Sequence, residues 1–211
     1  MPCGDREAVK MTRVVILDYG LGNLRSVKKG LEKAGADTVI TSDLDVMADA
    51  DGVLLPGVGA FSEGMEKLSA MKSALYDYVK ERPILGICLG MQMLLEIGEE
   101  YGIHEGLGLV PGSVKRFPDR DGFKIPHMGW NNLTIEKKDS PLFKGIPDGS
   151  YVYFVHSYYA DTGREYTLTS TDYILRYASA IQNGNAYGTQ FHPEKSGAVG
   201  LKILENFIDM L

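Results

Sequence analysis

Short apolar runs alternate with helix-spaced stretches through the first half of the chain. Residues 13–17, Arg13-Val14-Val15-Ile16-Leu17, are apolar without alternation, which predicts a strand buried on both faces. Leu24, Val27, Leu31 and Ala34 then fall on one side of a helix over about 23–34, with Asn23 as its N-cap and Gly35 as its stop. Residues 38–41 predict a second strand. Residues 52–55 predict a third, closed by Pro56-Gly57-Val58-Gly59. Helical spacing returns over 64–80 with Met65, Leu68, Met71, Leu75 and Val79. Pro83-Ile84-Leu85 reads as a strand and residues 91–96 as a helix. This alternation predicts an α/β fold, with an open, mostly parallel, twisted sheet flanked by helices.

The second half reads differently. Strands are predicted at 114–117, 132–135, 151–155, 166–170, 174–181 and 186–191, with proline and glycine between several of them. An amphipathic helix over about 196–210 closes the chain. With 211 residues, 44% hydrophobic, the chain is long enough for one substantial core and short for two domains. A single domain over 11–211 is expected. Residues 1–10 are read as a flexible extension, because strand-like sequence begins only after Met11.

Charge and cysteine content narrow the classes. Twenty-eight acidic against 22 basic residues give a net charge of -6, which excludes a general nucleic-acid binder. The two cysteines, Cys3 and Cys88, exclude a disulfide scaffold and zinc-type spacing, and fit a reducing cytoplasm. No apolar run reaches the length of a membrane span, and residues 1–10 lack the apolar core of a secretory signal. No metal or other cofactor is expected.

Chemistry concentrates at Gly86-Ile87-Cys88-Leu89-Gly90, a cysteine between glycines at a strand-to-helix turn. Glycines allow a sharp bend and leave room beside the side chain, and a helix N-terminus aimed at the sulfur favours thiolate. An isolated cysteine reads as a small buried residue; this frame reads as a nucleophile. His192 is the candidate base and later acid, and Glu194 the group that fixes its tautomer. The backbone N–H of Leu89 is one candidate oxyanion donor. Gly57 and Val58, in Pro56-Gly57-Val58-Gly59, are others, though that segment is equally well an ordinary turn. Gln92 lies one helical turn past Cys88, with Glu96 on the same face, and a solvated or capping role suits Gln92 nearly as well. His156-Ser157-Tyr158 ends an apolar strand and could bind a polar ligand. In an open parallel sheet, loops at the carboxyl ends of strands converge, which would bring these segments together.

The combination resembles the class I, or triad, glutamine amidotransferases from Met11 onward, and within them the glutaminase subunits of imidazole glycerol phosphate synthase. Gly86-Ile87-Cys88-Leu89-Gly90-Met91-Gln92 and Gln190-Phe191-His192-Pro193-Glu194-Lys195-Ser196 mark the superfamily. The segment from Asp18 to Val27 and Pro126-His127-Met128-Gly129-Trp130-Asn131 sort the chain toward the histidine pathway. The resemblance implies that Cys88 attacks the amide of glutamine, releasing ammonia and leaving a γ-glutamyl thioester, which water activated by His192 hydrolyses to glutamate. It implies that Gln92, Glu96, His156, Ser157 and Tyr158 hold glutamine. It also implies that Pro56-Gly57-Val58-Gly59 completes the oxyanion hole when a partner signals. That partner is a (β/α)8-barrel cyclase, and Met128, Trp130, Tyr153 and Lys195 match positions near its interface. Ammonia is mostly protonated at neutral pH, so sequestered transfer would preserve its nucleophilicity. Trp130, the only tryptophan, suits an interface anchor if exposed and a core position if not. Two rival readings remain: a glutaminase subunit of another synthase such as anthranilate synthase, opposed by the segment 126–131, and a non-enzymatic relative, opposed by the intact triad.

Overall fold

The computed structural model describes residues 11–211; the extension expected over 1–10, with Cys3, lies outside the described residues. The first half runs β1 (Arg13–Leu17), α1 (Leu24–Lys33), β2 (Asp37–Thr41), α2 (Leu44–Ala48), β3 (Gly52–Gly57), α3 (Phe61–Leu68), α4 (Lys72–Val79), β4 (Ile84–Cys88) and α5 (Leu89–Met93). There follow β5 (Leu95–Gly98), β6 (His104–Glu105), β7 (Val110–Arg116), β8 (His127–Asn132), β9 (Thr134–Ile135) and β10 (Tyr151–His156). The chain ends with β11 (Tyr158–Asp161), β12 (Thr167–Asp172), β13 (Arg176–Asn183), β14 (Ala186–Thr189) and α6 (Gly197–Asp209).

One sheet runs through both halves in the order β2-β1-β3-β4-β14-β13-β11-β7-β5-β6, with β12 and β9 branching from β13. Its β2-β1-β3-β4-β14 part is parallel throughout. Alternate residues of β1 enter two cores: Val14 and Ile16 pack on one side, Val15 and Leu17 on the other. Helices α1 and α6 cover the first side through Val27, Leu31, Ile203, Leu204 and Phe207. Helices α2 to α4 cover the second through Met47, Phe61, Leu68 and Leu75. Burial on both faces explains why the apolar runs lack alternation. Asn23 caps α1 by accepting from the Ser26 N–H at 3.3 Å, and Gly35, at φ +102°, lies just past its end.

Several elements differ from the pattern reading. The helix expected over 64–80 is two, separated by a 3-10 turn at Ser69–Met71; there the Ser69 hydroxyl donates to the Glu66 carbonyl at 2.6 Å, a contact that bends helices. The strand expected at 132–135 is the end of β8 and the short β9. Helix α2 and strands β5, β6 and β11 have no counterpart in the pattern. The helix expected over 91–96 stops at Met93. Carbonyls of Met93, Leu94, Leu95 and Glu96 accept from the N–H groups of residues 106–110, which takes them from any further helical turn.

Candidate active site

The parallel register sets Gly57 at the end of β3 beside Cys88 at the end of β4. Cys88 sits at φ +54°, ψ -108°, a region that non-glycine residues rarely occupy. Neither Gly86 nor Gly90 has positive φ; the cysteine itself takes the strained conformation. The glycines instead admit close neighbours, as their missing Cβ atoms would meet backbone of residues 90–91 and 55. Backbone strain at a turn that presents one side chain to a cleft is a signature of function.

That cleft, about 350 Å3, is lined by Cys88, Leu89, Gln92, Val155, His156, Ser157, Tyr158 and His192, with Val58, Gly59, Glu100 and Pro126. His192 follows β14 by three residues, and its Nδ1 donates to Glu194 Oε1 at 2.8 Å, both side chains being almost wholly buried. This bond puts the proton on Nδ1 and leaves Nε2 for chemistry. Nε2 is buried and makes no hydrogen bond. Burial opposes a charge on His192, but attraction to Cys88 and Glu194 outweighs it and raises the imidazole to about 9. The Cys88 sulfur lies 3.8 Å from the Val155 carbonyl and 3.7 Å from Gln190 Nε2.

Two expected site residues lie elsewhere. Glu96 is exposed on β5, where it accepts from the Gly112 N–H at 3.0 Å. Because α5 ends early, the chain turns before Glu96 and brings Glu100 to the cleft instead, its Oε2 taking the Phe61 N–H at 2.6 Å. Only the true length of α5 could have shown this. Gly57 stands behind the cleft wall, packed so closely that a Cβ would lie 2.7 Å from the Tyr19 hydroxyl and 2.9 Å from the Gly90 nitrogen. Val58, which is exposed, and Gly59, at φ +110°, form the wall. Tyr19 donates to the Pro56 carbonyl and pins the start of this loop.

Met128, Trp130 and Tyr153 share the outer face of the two-stranded β8–β10 sheet, and Lys195, in the turn after β14, reaches the same face. Trp130 pairs with Tyr153 across the ladder, their rings 6.1 Å apart, and the Lys195 ammonium lies 6.0 Å from the Tyr153 ring. Met128 and Trp130 are 63% and 55% exposed, so Trp130 is no core residue. A larger cavity of about 550 Å3 opens among β11, β12 and β13. Its Arg176 is already paired with Glu136 at 2.7 Å, and no cysteine or histidine lines it.

Beneath the two-stranded sheet, His127 and His156 set an acid limit on the fold. Burial lowers His127 to about 4, and lowers His156 to about 3 despite its bond to the Tyr158 carbonyl. Both stay neutral in the native state and protonate near 6.5 when unfolded, so stability falls as pH drops from about 6.5 toward 4. His192 has the opposite sign: its raised value stabilises the fold below 6.5, and that contribution is lost as pH rises through about 9. Between pH 7 and pH 5 the two neutral rings dominate, with an expected net loss of roughly 3 kcal/mol. Urea midpoints at the two pH values check this; unchanged midpoints would mean that both rings are charged in the fold.

The glutamine amidotransferase class-I family matches residues 15–210. The imidazole glycerol phosphate synthase subunit HisH of Methanosarcina mazei is 56% identical over 203 residues, covering 95% of this chain and all of the relative. The same-named protein of Halobacterium salinarum is 53% identical over 93% of this chain and 92% of its own length. The chain belongs to the class-I glutamine amidotransferase family, among the HisH subunits. Among solved structures, PurLQS from Thermotoga maritima aligns with a TM-score of 0.71 at 21% identity, over 95% of this chain and 99% of that one. The glutaminase domain of Trypanosoma brucei CTPS, with acivicin bound, aligns at 0.66 and 18% identity over 94% of each. At these identities the likeness is one of fold. It supports the α/β class, with a mostly parallel sheet flanked by helices.

Proposed function

We propose that residues 11–211 act as one domain, the glutaminase subunit of a cytoplasmic imidazole glycerol phosphate synthase, with Cys88 as nucleophile, His192 as acid and base, and Glu194 as orienting carboxylate. The observation that carries this is Cys88, strained at the end of β4 and facing the same cleft as the buried His192–Glu194 pair. His192 Nε2 takes the thiol proton as the sulfur bonds to the carboxamide carbon of glutamine, then delivers that proton to the nitrogen as the carbon–nitrogen bond breaks, giving ammonia and a γ-glutamyl thioester. Water then loses a proton to Nε2 as its oxygen bonds to the acyl carbon. The carbon–sulfur bond breaks, glutamate leaves, and the sulfur is free again. Backbone N–H groups of Leu89 and of the Val58–Gly59 wall suit the developing oxyanion. Gln92, His156, Ser157 and Tyr158 line the space for the substrate. Glu100 supplies a carboxylate there for its α-ammonium, in place of Glu96.

The partner is a (β/α)8-barrel cyclase that consumes the ammonia, docked on Met128, Trp130, Tyr153 and Lys195. Contacts behind that face reach the site directly. The His192 N–H donates to the Tyr153 carbonyl at 2.9 Å, and Val155, two residues on, holds its carbonyl against the sulfur. Pressure on the two-stranded sheet therefore acts on both base and nucleophile. Among the described residues no helix is long and apolar enough to cross a membrane.

A glutaminase assay with and without the cyclase and its nucleotide ligand tests the reading, with strong stimulation expected. Equal rates, or stimulation by a chorismate-using synthase subunit instead, would overturn it. Trp130→Ala is expected to weaken the complex by about tenfold or more, as loss of an interface aromatic does. Titrating the cyclase while following glutamate release measures this, and full stimulation should return at saturating partner.

A further inference from the structure

We infer that Gln190 is a further catalytic residue, its side-chain amide donating an N–H to the Cys88 sulfur in an orientation fixed, through Gln92, by the backbone carbonyl of Tyr158. The inference rests on Cys88 being the nucleophile. Gln190 is wholly buried between β14 and His192, with Nε2 3.7 Å from the sulfur. It is a neutral donor to that atom, beside the His192 ring that attracts it.

The two ends of an amide look alike in shape, so the direction must come from its partners. A backbone carbonyl only accepts. Gln92 lies 3.0 Å from the Tyr158 carbonyl and therefore presents Nε2 to it. The same Nε2 lies 3.0 Å from the Gln190 side chain, which must answer with Oε1. Nε2 of Gln190 is thereby turned to the sulfur. The reverse orientation would set two NH2 groups against each other and a carbonyl oxygen against the sulfur. The Tyr158 carbonyl is itself held, since it also accepts from His156 Nδ1 at 2.7 Å. That bond leaves His156 Nε2 as acceptor for the Tyr177 hydroxyl or the His127 ring, each at 3.2 Å.

A neutral thiol or a thioester sulfur accepts hydrogen bonds poorly, whereas a thiolate accepts them well. The Gln190 N–H therefore strengthens where sulfur carries charge: before attack on glutamine, and again as the carbon–sulfur bond of the thioester breaks. His192 attracts the sulfur through charge, but its Nε2 makes no hydrogen bond in the resting arrangement. Gln190 adds a fixed neutral donor while His192 moves protons.

The test compares Gln190→Leu and Gln190→Glu with the parent, each assembled with the cyclase. Two readouts are needed: glutaminase kcat and KM, and the rate of Cys88 alkylation by iodoacetamide against pH. Titratable groups facing the site are His192 and Glu194 after β14, Tyr19 after β1, His156 on β10, Tyr158 on β11 and Glu100 after β5; all are retained in both variants. Gln190→Leu is expected to lower kcat about tenfold or more with KM within about threefold, and to move the alkylation profile about one pH unit to the alkaline side. Gln190→Glu, which has the same shape, should move it further by placing oxygen against sulfur. It also serves if the leucine variant does not fold. A profile that superimposes on the parent's, with only the melting temperature lowered, would reduce Gln190 to packing and overturn the inference. Absence of any Cys88 adduct in the parent would instead overturn the assignment of the nucleophile.

Discussion

Alanine at Cys88 is expected to lower glutamine hydrolysis in the assembled synthase by about a thousandfold or more, while ammonium salts still support the cyclase. The loss is large because the covalent route ends with the sulfur. Ser157 also lines the cleft, but Cys88 alone sits at the strained turn beside the free Nε2 of His192. What remains is direct attack by water on a poor electrophile. The variant should fold normally. Cys88 gives up two long contacts, at 3.7 and 3.8 Å, and its attraction for His192, while Glu194 still holds that ring and alanine meets the same positive φ with no larger a penalty. Glutamate release and ammonium-dependent cyclase turnover, measured on one preparation, separate loss of chemistry from loss of assembly. Glutaminase turnover within tenfold of the parent would place the nucleophile elsewhere, and loss of both activities would point to a failed fold.

Much of this site was legible in the sequence because it is carried by local signals. Strands β1, β3 and β4 announce themselves as unbroken apolar runs, since both faces are covered. The cysteine between glycines, and the histidine two residues before a glutamate, each form one turn. What was hidden depends on residues far apart in the chain. The pairing of β14 with β4, which brings Gln190 and His192 to Cys88, spans about a hundred residues. The length of α5 is set by the segment 106–110, so spacing alone pointed to Glu96 when the fold delivers Glu100. Exposure of Trp130 depends on a two-stranded sheet apart from the main one, of which one strand, β8, shows only its last residue in the apolar pattern. Gln190 has no role legible in the sequence, because only the Tyr158 carbonyl gives its amide a direction.

Gly90→Ala is expected to destabilise the protein on the order of 4 kcal/mol, enough to leave little native enzyme. A Cβ built at this position lies 1.8 Å from the Leu55 carbonyl oxygen, with the Leu55 side chain 3.5 Å away. Leu55 is a fully buried residue of β3, locked in register between β1 and β4, so the oxygen has nowhere to retreat. The start of α5 would have to move instead, and with it the Leu89 N–H and the strained backbone of Cys88. Gly184→Ala is the informative control. Its φ of +54° is the conformation usually blamed for glycine conservation, yet nothing lies within 4 Å of the added carbon. There the cost should stay near 1 kcal/mol. Urea midpoints for both variants distinguish the two causes. A Gly90→Ala midpoint as close to the parent's as that of Gly184→Ala would show slack at the elbow, and would remove close packing as the reason Cys88 must bear the left-handed turn itself.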